Sequence, residues 1–114
     1  MAEKREKIPD ELIAMEAMEA CLSTEGVARM TVLASDILAE NLFGKDNPYN
    51  GIRLSGDRSS MVIDVFLEVI FGCSIPQTAW DLQERVKKRV EKIGDIKVNK
   101  VNIHIEGVDL NGDA

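Results

Sequence analysis

The sequence has little of what chemistry at a protein site usually requires. It holds one histidine, His104, and two cysteines, Cys21 and Cys73, in 114 residues. A lone imidazole cannot supply the ligand spacing of a zinc centre, and no nucleophile and base stand together near it. Two cysteines without a signal peptide are too few for the disulfide scaffold of a small secreted domain, so a reducing compartment is expected. Aromatic residues make up 4% of the chain, too few for a platform on which bases could stack. No stretch approaches the ~20 apolar residues of a membrane span. The charged lead MAEKREK runs into no long apolar core, which predicts neither insertion nor export. A phosphate loop and a dinucleotide glycine pattern are both missing.

What is present is the composition of one folded domain. Hydrophobic residues make up 45% and charged residues 30% of the chain, too aliphatic for disorder and too short for two domains. A chain of this length buries roughly 65% of the surface it exposes when unfolded, so its functional surface should be shallow. The net charge of -6 opposes a phosphate backbone and makes nucleic acid an unexpected partner. Basic residues cluster at Lys4 to Lys7 and from Arg85 to Lys92, but acidic neighbours interleave both runs, as on a solvated helix face.

Hydropathy patterning predicts the elements. Pro9 and the acidic pair Asp10 and Glu11 suit a first helical turn before the alanines, methionines and leucines of 12–22, and Gly26 stands as a stop. Only Glu16, Glu19 and Ser23 form a polar strip on this helix, which predicts burial on two sides. A second short helical pattern follows Thr31, with Leu33, Ile37, Leu38 and Leu42 inward and Gly44 as its stop. The segment KDNPYNG, 45–51, is turn chemistry. Ile52 and Leu54 then alternate with Arg53 and Ser55. After a Gly56-Asp57-Arg58 turn, Met61, Ile63, Val65, Leu67, Val69 and Phe71 share one face of a long strand, the two strands forming a hairpin. Ser74 with Gln77 matches a capping box and Pro76 fits only a first turn. From there Ile75, Ala79, Leu82, Val86, Val90 and Ile93 draw one apolar stripe. Gly94-Asp95 breaks that helix, and 96–106 returns to strand with Val101, Ile103 and Ile105 inward and Asn102, His104 and Glu106 outward. These elements predict a two-layer α/β sandwich of order α-α-β-β-α-β. A three-stranded mixed sheet, β-hairpin then β-α-β, has its long strand central and helices mainly on one face. Residues 1–7 form a flexible charged N-terminus, 8–108 the domain and 109–114 a frayed tail.

Each candidate site has an ordinary explanation beside the functional one. Trp80 lies off the apolar stripe, next to Glu84, Lys87 and Glu91 on the helical wheel. It either closes the rim of the domain or anchors a partner, since Trp is enriched among interface hot spots. Val62, Phe66 and Ile70 interrupt Asp64 and Glu68 on the outer strand face, which would tolerate water or a partner. The candidate partner interface is therefore Trp80, Glu84, Phe66, Ile70 and Val62. His104, near Asp64, Glu68 and Glu106, reads as an exposed, ordinary histidine rather than a metal ligand. Cys73 precedes a helix N-terminus, which favours a thiolate. With no second cysteine in the same turn, it reads as a small packed side chain. The tail DLNGD opens like a calcium loop but ends before the bidentate Glu such a loop needs. No catalytic, cofactor-binding or metal-ligating residue is assigned.

From Gly72 to Val108 the run GCSIPQTAWDLQERVKKRVEKIGDIKVNKVNIHIEGV resembles the C-terminal signature of the alkaline shock (envelope stress response) protein family. The matching parts are the Gly-x-x-Ile-Pro turn at Gly72 to Pro76, a helix rich in Gln, Glu, Val and Lys, and a last strand at Val101 to Val108. Glu25-Gly26-Val27-Ala28 and Gly51-Ile52 extend the likeness over most of the chain. The resemblance implies a small α/β domain, bacterial and cytoplasmic, serving cell-envelope homeostasis and held near the membrane in some members by a separate anchor protein. It implies no enzyme activity and no cofactor. A homo-oligomer working through protein–protein contacts is expected, with no nucleic acid and no direct membrane insertion. A small RNA-binding α/β domain is the alternative, and a small-molecule enzyme a third reading with no convergent polar set to support it.

Overall fold

The computed structural model describes residues 8–33, 37 and 51–111. Its elements are α1 (Asp10–Leu22), β1 (Val27–Met30), β2 (Ile52–Asp57), β3 (Ser60–Ile70), α2 (Ile75–Glu91) and β4 (Val98–Asp109). The α1 helix starts after Pro9 with Asp10 and Glu11 in its first turn, where acidic side chains meet the positive end of the helix dipole. At its other end the Ser23 and Thr24 hydroxyls both donate to the Ala20 carbonyl, satisfying one of the acceptors a helix terminus leaves open. Gly26 then turns the chain into β1 at φ +101, where a Cβ would lie 2.5 Å from the Thr78 Oγ1. That position requires glycine twice over, for its conformation and for its space.

The α2 start follows its sequence signal in part. The Ser74 side chain caps the Gln77 N–H at 3.4 Å and Pro76 lies in the first turn. The Gln77 amide does not reach back to complete the box but donates to Asp81 at 2.9 Å. In the hairpin, the Asp57 carboxylate accepts from the Ser59 N–H, the Ser59 hydroxyl and the Ser60 N–H. These bonds close the turn on Arg58 and Ser59, slightly later than Gly56-Asp57-Arg58.

The sheet has four strands, not the three expected. It is mixed: β1 and β2 pair antiparallel with β3, and β4 pairs parallel with it. Because β4 runs along the whole of β3, β1 and β2 share the opposite edge of β3, one beside Leu67–Val69 and the other beside Ser60–Val65. The extra strand, Val-Ala-Arg-Met, is too short and too weakly alternating to signal itself, and its pairing with residues forty positions away creates it. The joint between the two short strands is made on one residue. Phe66 donates its N–H to Gly51 and accepts the Thr31 N–H on its carbonyl. The long strand is central, as its length suggested. The second helical pattern falls outside the described residues except at Ile37, which is helical but exposed rather than inward.

Both described helices cover one face. Ile13, Ala17 and Cys21 of α1 and Leu82, Val86 and Val90 of α2 pack with Met61, Ile63, Val65, Leu67 and Val69 in one cluster. Ala14, Ala17 and Ala20 of α1 are buried with them. At the flank of the two helices the Arg89 guanidinium donates to Glu16 at 2.7 Å and to Glu19 at 2.8 Å, so the polar strip of α1 is its seam with α2. Two further apolar residues expected inward are not. Phe71 is 67% exposed because β3 ends at Ile70, and Ile75 is exposed because the first turn of α2 overhangs the end of the sheet. Thr78 takes the buried place one turn on.

Candidate interaction surface

No described helix covers the other face of the sheet. On that face, alternation brings Arg53, Asp64, Phe66, Glu68, Asn102 and His104 together across three strands. The His104 Nε2–H donates to Asp64 Oδ1 at 2.9 Å and the Asn102 amide donates to the same oxygen at 3.1 Å. The His104 hydrogen bond, reinforced by Asn102, holds the Asp64 carboxyl below the usual carboxylate range, against a partial loss of solvation. The imidazole also stacks on Phe66, with ring centroids 4.2 Å apart and planes 8° from parallel, and the Arg53 guanidinium lies 5.6 Å over the other ring. His104 is thus a built-in member of the face rather than a free side chain.

Beside this group, the Arg29 guanidinium donates to Glu68 and, at 2.7 Å, to Asp109. It clamps β1 across β3 to the end of β4. Arg29 was not singled out in the sequence, because nothing local marks Val27–Met30 as a strand or gives its arginine a partner. Glu68 therefore serves Arg29 and not His104. Asp109 belongs to β4 and not to the tail, its carboxylate also accepting the Asn111 N–H.

The five candidate interface residues do not form one patch. Val62, Phe66 and Ile70 lie half-buried on the outer face, with Phe66 already covered by His104 and Arg53. Trp80, 58% exposed, and Glu84 lie on α2. Their side of the helix borders β4, for Gln83, Glu84 and Lys87 line a shallow groove with Val98 to Asn102 and the Gln83 amide donates to the Val101 carbonyl at 3.1 Å. A second exposed apolar group gathers where β3 and β4 end and α2 begins. Phe71, Ile75, Val108 and Leu110 are all exposed at these element ends, the Phe71 N–H donating to the Asp109 carbonyl.

The polar groups of this arrangement are paired with one another. No Ser or Cys is hydrogen-bonded to the His104 imidazole among the described residues, and no three His, Cys, Asp or Glu side chains converge there as a metal site would need. Cys21 is fully buried and burial pushes its thiol up to about 12, the opposite of an activated nucleophile. Cys73 is half-buried and free. No described helix is long and apolar enough to cross a membrane.

The model of the alkaline shock protein 23 family, with a cell envelope-related function, matches residues 2–110. Among individual relatives, the uncharacterized protein YqhY of Bacillus subtilis is 32% identical over 95% of this chain and 79% of its own. The uncharacterized protein YloU of the same organism is 30% identical over 89% of this chain and 85% of its own. No solved structure matches at a comparable level. The chain belongs to the alkaline shock protein family.

Proposed function

We propose, from that membership, that the protein is a non-enzymatic cytoplasmic assembly protein, serving cell-envelope homeostasis by self-association and by contact with a membrane-anchored partner. One observation carries the reading: large apolar side chains stand in water at structured positions. Trp80 projects from α2, and Phe71, Ile75, Val108 and Leu110 gather at one end of the domain. Exposed apolar groups held on rigid elements cost solubility and commonly mark contact surfaces. The outer sheet face supports a role in recognition over one in catalysis, since its ionisable groups contact one another in fixed pairs.

The test is the mass of the purified protein in solution by light scattering across a range of concentrations, with Trp80→Ala and Phe71→Ser alongside. Growth in mass with concentration, weakened by at least one of the variants while their folds stay intact, is the expected result. A monomer at every concentration that also recovers no protein from membranes of its own cells would overturn the reading. Binding to RNA that weakens steeply with added salt would instead favour a nucleic-acid role.

A further inference from the structure

The two edges of the sheet are unequally protected. One edge is broken into β1 and β2, four and six residues long, which is a common way of blunting an edge against unwanted pairing. The other is β4, twelve residues without interruption. It pairs with β3 alone among the described strands. Its register with β3 slips near Asn99 and near Glu106 and is regular from Lys100 to Ile105.

Which groups face outward on that stretch follows from one residue of β3. The N–H and C=O of a strand residue point to the same edge, and successive residues alternate. Phe66 gives its N–H and C=O to Gly51 and Thr31 on the β1/β2 side, so Ile63, Val65 and Leu67 turn theirs toward β4, and in a parallel ladder their partners Val101, Ile103 and Ile105 face away from β3. Lys100, Asn102 and His104 turn their backbones toward β3, and their side chains lie on the outer face.

We propose that the open edge of β4 is a docking strand for a second copy of this chain, pairing antiparallel about a two-fold axis at Ile103. The proposal rests on the self-association reading and names its surface. In this register Ile103 meets Ile103 of the other copy, and both exchange their outward N–H and C=O groups. Val101 meets Ile105 in the same way and Asn102 meets His104. Lys100 meets Glu106, once on each side of the axis. Sliding the pair by two residues sets Lys100 against His104 in one direction and His104 against His104 in the other. Both shifts leave Glu106 without its lysine, so charge favours this register over its two-residue neighbours, while side-chain facing excludes the one-residue slips. The contact is isologous, which closes a dimer.

The helix above the edge fits this occupant. Trp80 lies one turn before Gln83 and Glu84 on the same face of α2, in the direction of Ile103 and Ile105, since α2 runs opposite to β4. A two-fold places both α2 helices on the same side of the joined sheet, where each Trp80 loses water against the other copy. The Gln83 amide occupies one lone pair of the Val101 carbonyl and leaves the second for the incoming Ile105 N–H.

Sedimentation velocity and backbone hydrogen exchange test the proposal on the full chain. Lys100 and Glu106 are both exposed, so Lys100→Glu and Glu106→Lys leave the fold intact, as circular dichroism will verify. Each single variant should weaken the dimer about tenfold, because two attractive pairs become repulsive. An equal mixture of the two variants should restore it, each chain supplying the charge the other lacks. In the wild-type dimer the Ile103 and Ile105 amides should exchange more slowly as concentration rises. Association that survives both variants, or edge amides whose exchange ignores concentration, would overturn the strand contact while leaving self-association through another surface intact. A strictly monomeric wild type would overturn both. Edge amides protected only by a different added protein would overturn the second copy as occupant.

Discussion

Alternate residues of β3 live under different rules. Met61, Ile63, Val65, Leu67 and Val69 are at most 1% exposed beneath the two helices, whereas Val62, Asp64, Phe66, Glu68 and Ile70 are half-buried on the face that no described helix covers. The first set is held by removal of apolar area from water, which has no direction and needs only the right volume. The second is held by directed contacts: a histidine on a carboxylate, an imidazole on a phenyl ring, an arginine across two acids. Each such contact near the surface adds little stability. What it does is fix the orientation of the polar and aromatic groups on that face.

The comparison can be broken most directly by equal truncations on the two faces. Leu67→Ala should cost about 2–5 kcal/mol in urea unfolding, the range for a large aliphatic removed from a closed core. Ile70→Ala on the uncovered side should cost about 1 kcal/mol, because much less area returns to water. Similar losses at the two positions would mean that the outer face is covered in the folded protein.

Gly26→Ala probes how tightly the covered side is closed. A non-glycine residue at φ +101 is strained, and its Cβ would overlap the Thr78 hydroxyl. A loss of about 1–3 kcal/mol is expected from the strained backbone, and only part of it should return in Gly26→Ala/Thr78→Ala, which relieves the overlap but not the backbone. Full recovery would place the whole effect in the overlap.

Two pH experiments sharpen the contrast further. On the covered side, burial raises the Cys21 thiol from 9.0 to about 12. The folded state therefore prefers the neutral thiol. That stability is complete below 9.0 and declines as pH climbs toward about 12. Cys21→Ala should flatten the alkaline limb of the stability curve in that window. A thiol reagent at neutral pH should meanwhile label the half-buried Cys73 long before Cys21. On the open side the sign reverses. The Asp64 carboxyl is lowered by His104 and Asn102, so its contribution is present above the ordinary carboxylate value and is lost as pH falls through the lowered one. Asp64→Asn should make the acid limb of the thermal-melting curve slightly shallower, the smallest effect of the four. An unchanged acid limb would mean that the His104–Asp64 bond adds no stability in solution.

The covered side was largely legible in the sequence, and the open side only in outline. Period-two alternation marked every buried residue of β3, and Leu82, Val86 and Val90 stood at helical spacing, because both patterns are local consequences of backbone geometry. Overreach came at the ends. Phe71 and Ile75 continue their patterns, but whether a pattern is buried depends on how far the opposing layer extends. On the open face, alternation placed Asp64 and His104 on one side, yet the choice of Asp64 rather than Glu68 or Glu106 as the partner of His104 required the register of a parallel pair nearly forty residues apart.

The sequence by itself determined the long apolar-faced strand, the start of α2 at Ser74 and Pro76, and the kinship carried by Gly72 to Val108. Each is written in neighbouring residues, through periodicity, capping and local composition. The fold alone decided that Val27–Met30 is a strand, that β1 and β2 divide one edge of β3 and meet at Phe66, and that β4 pairs with β3 alone among the described strands. The reason is physical: strand pairing is a long-range choice, made by the hydrogen-bonding groups and side chains that another segment presents, and no local window contains that segment.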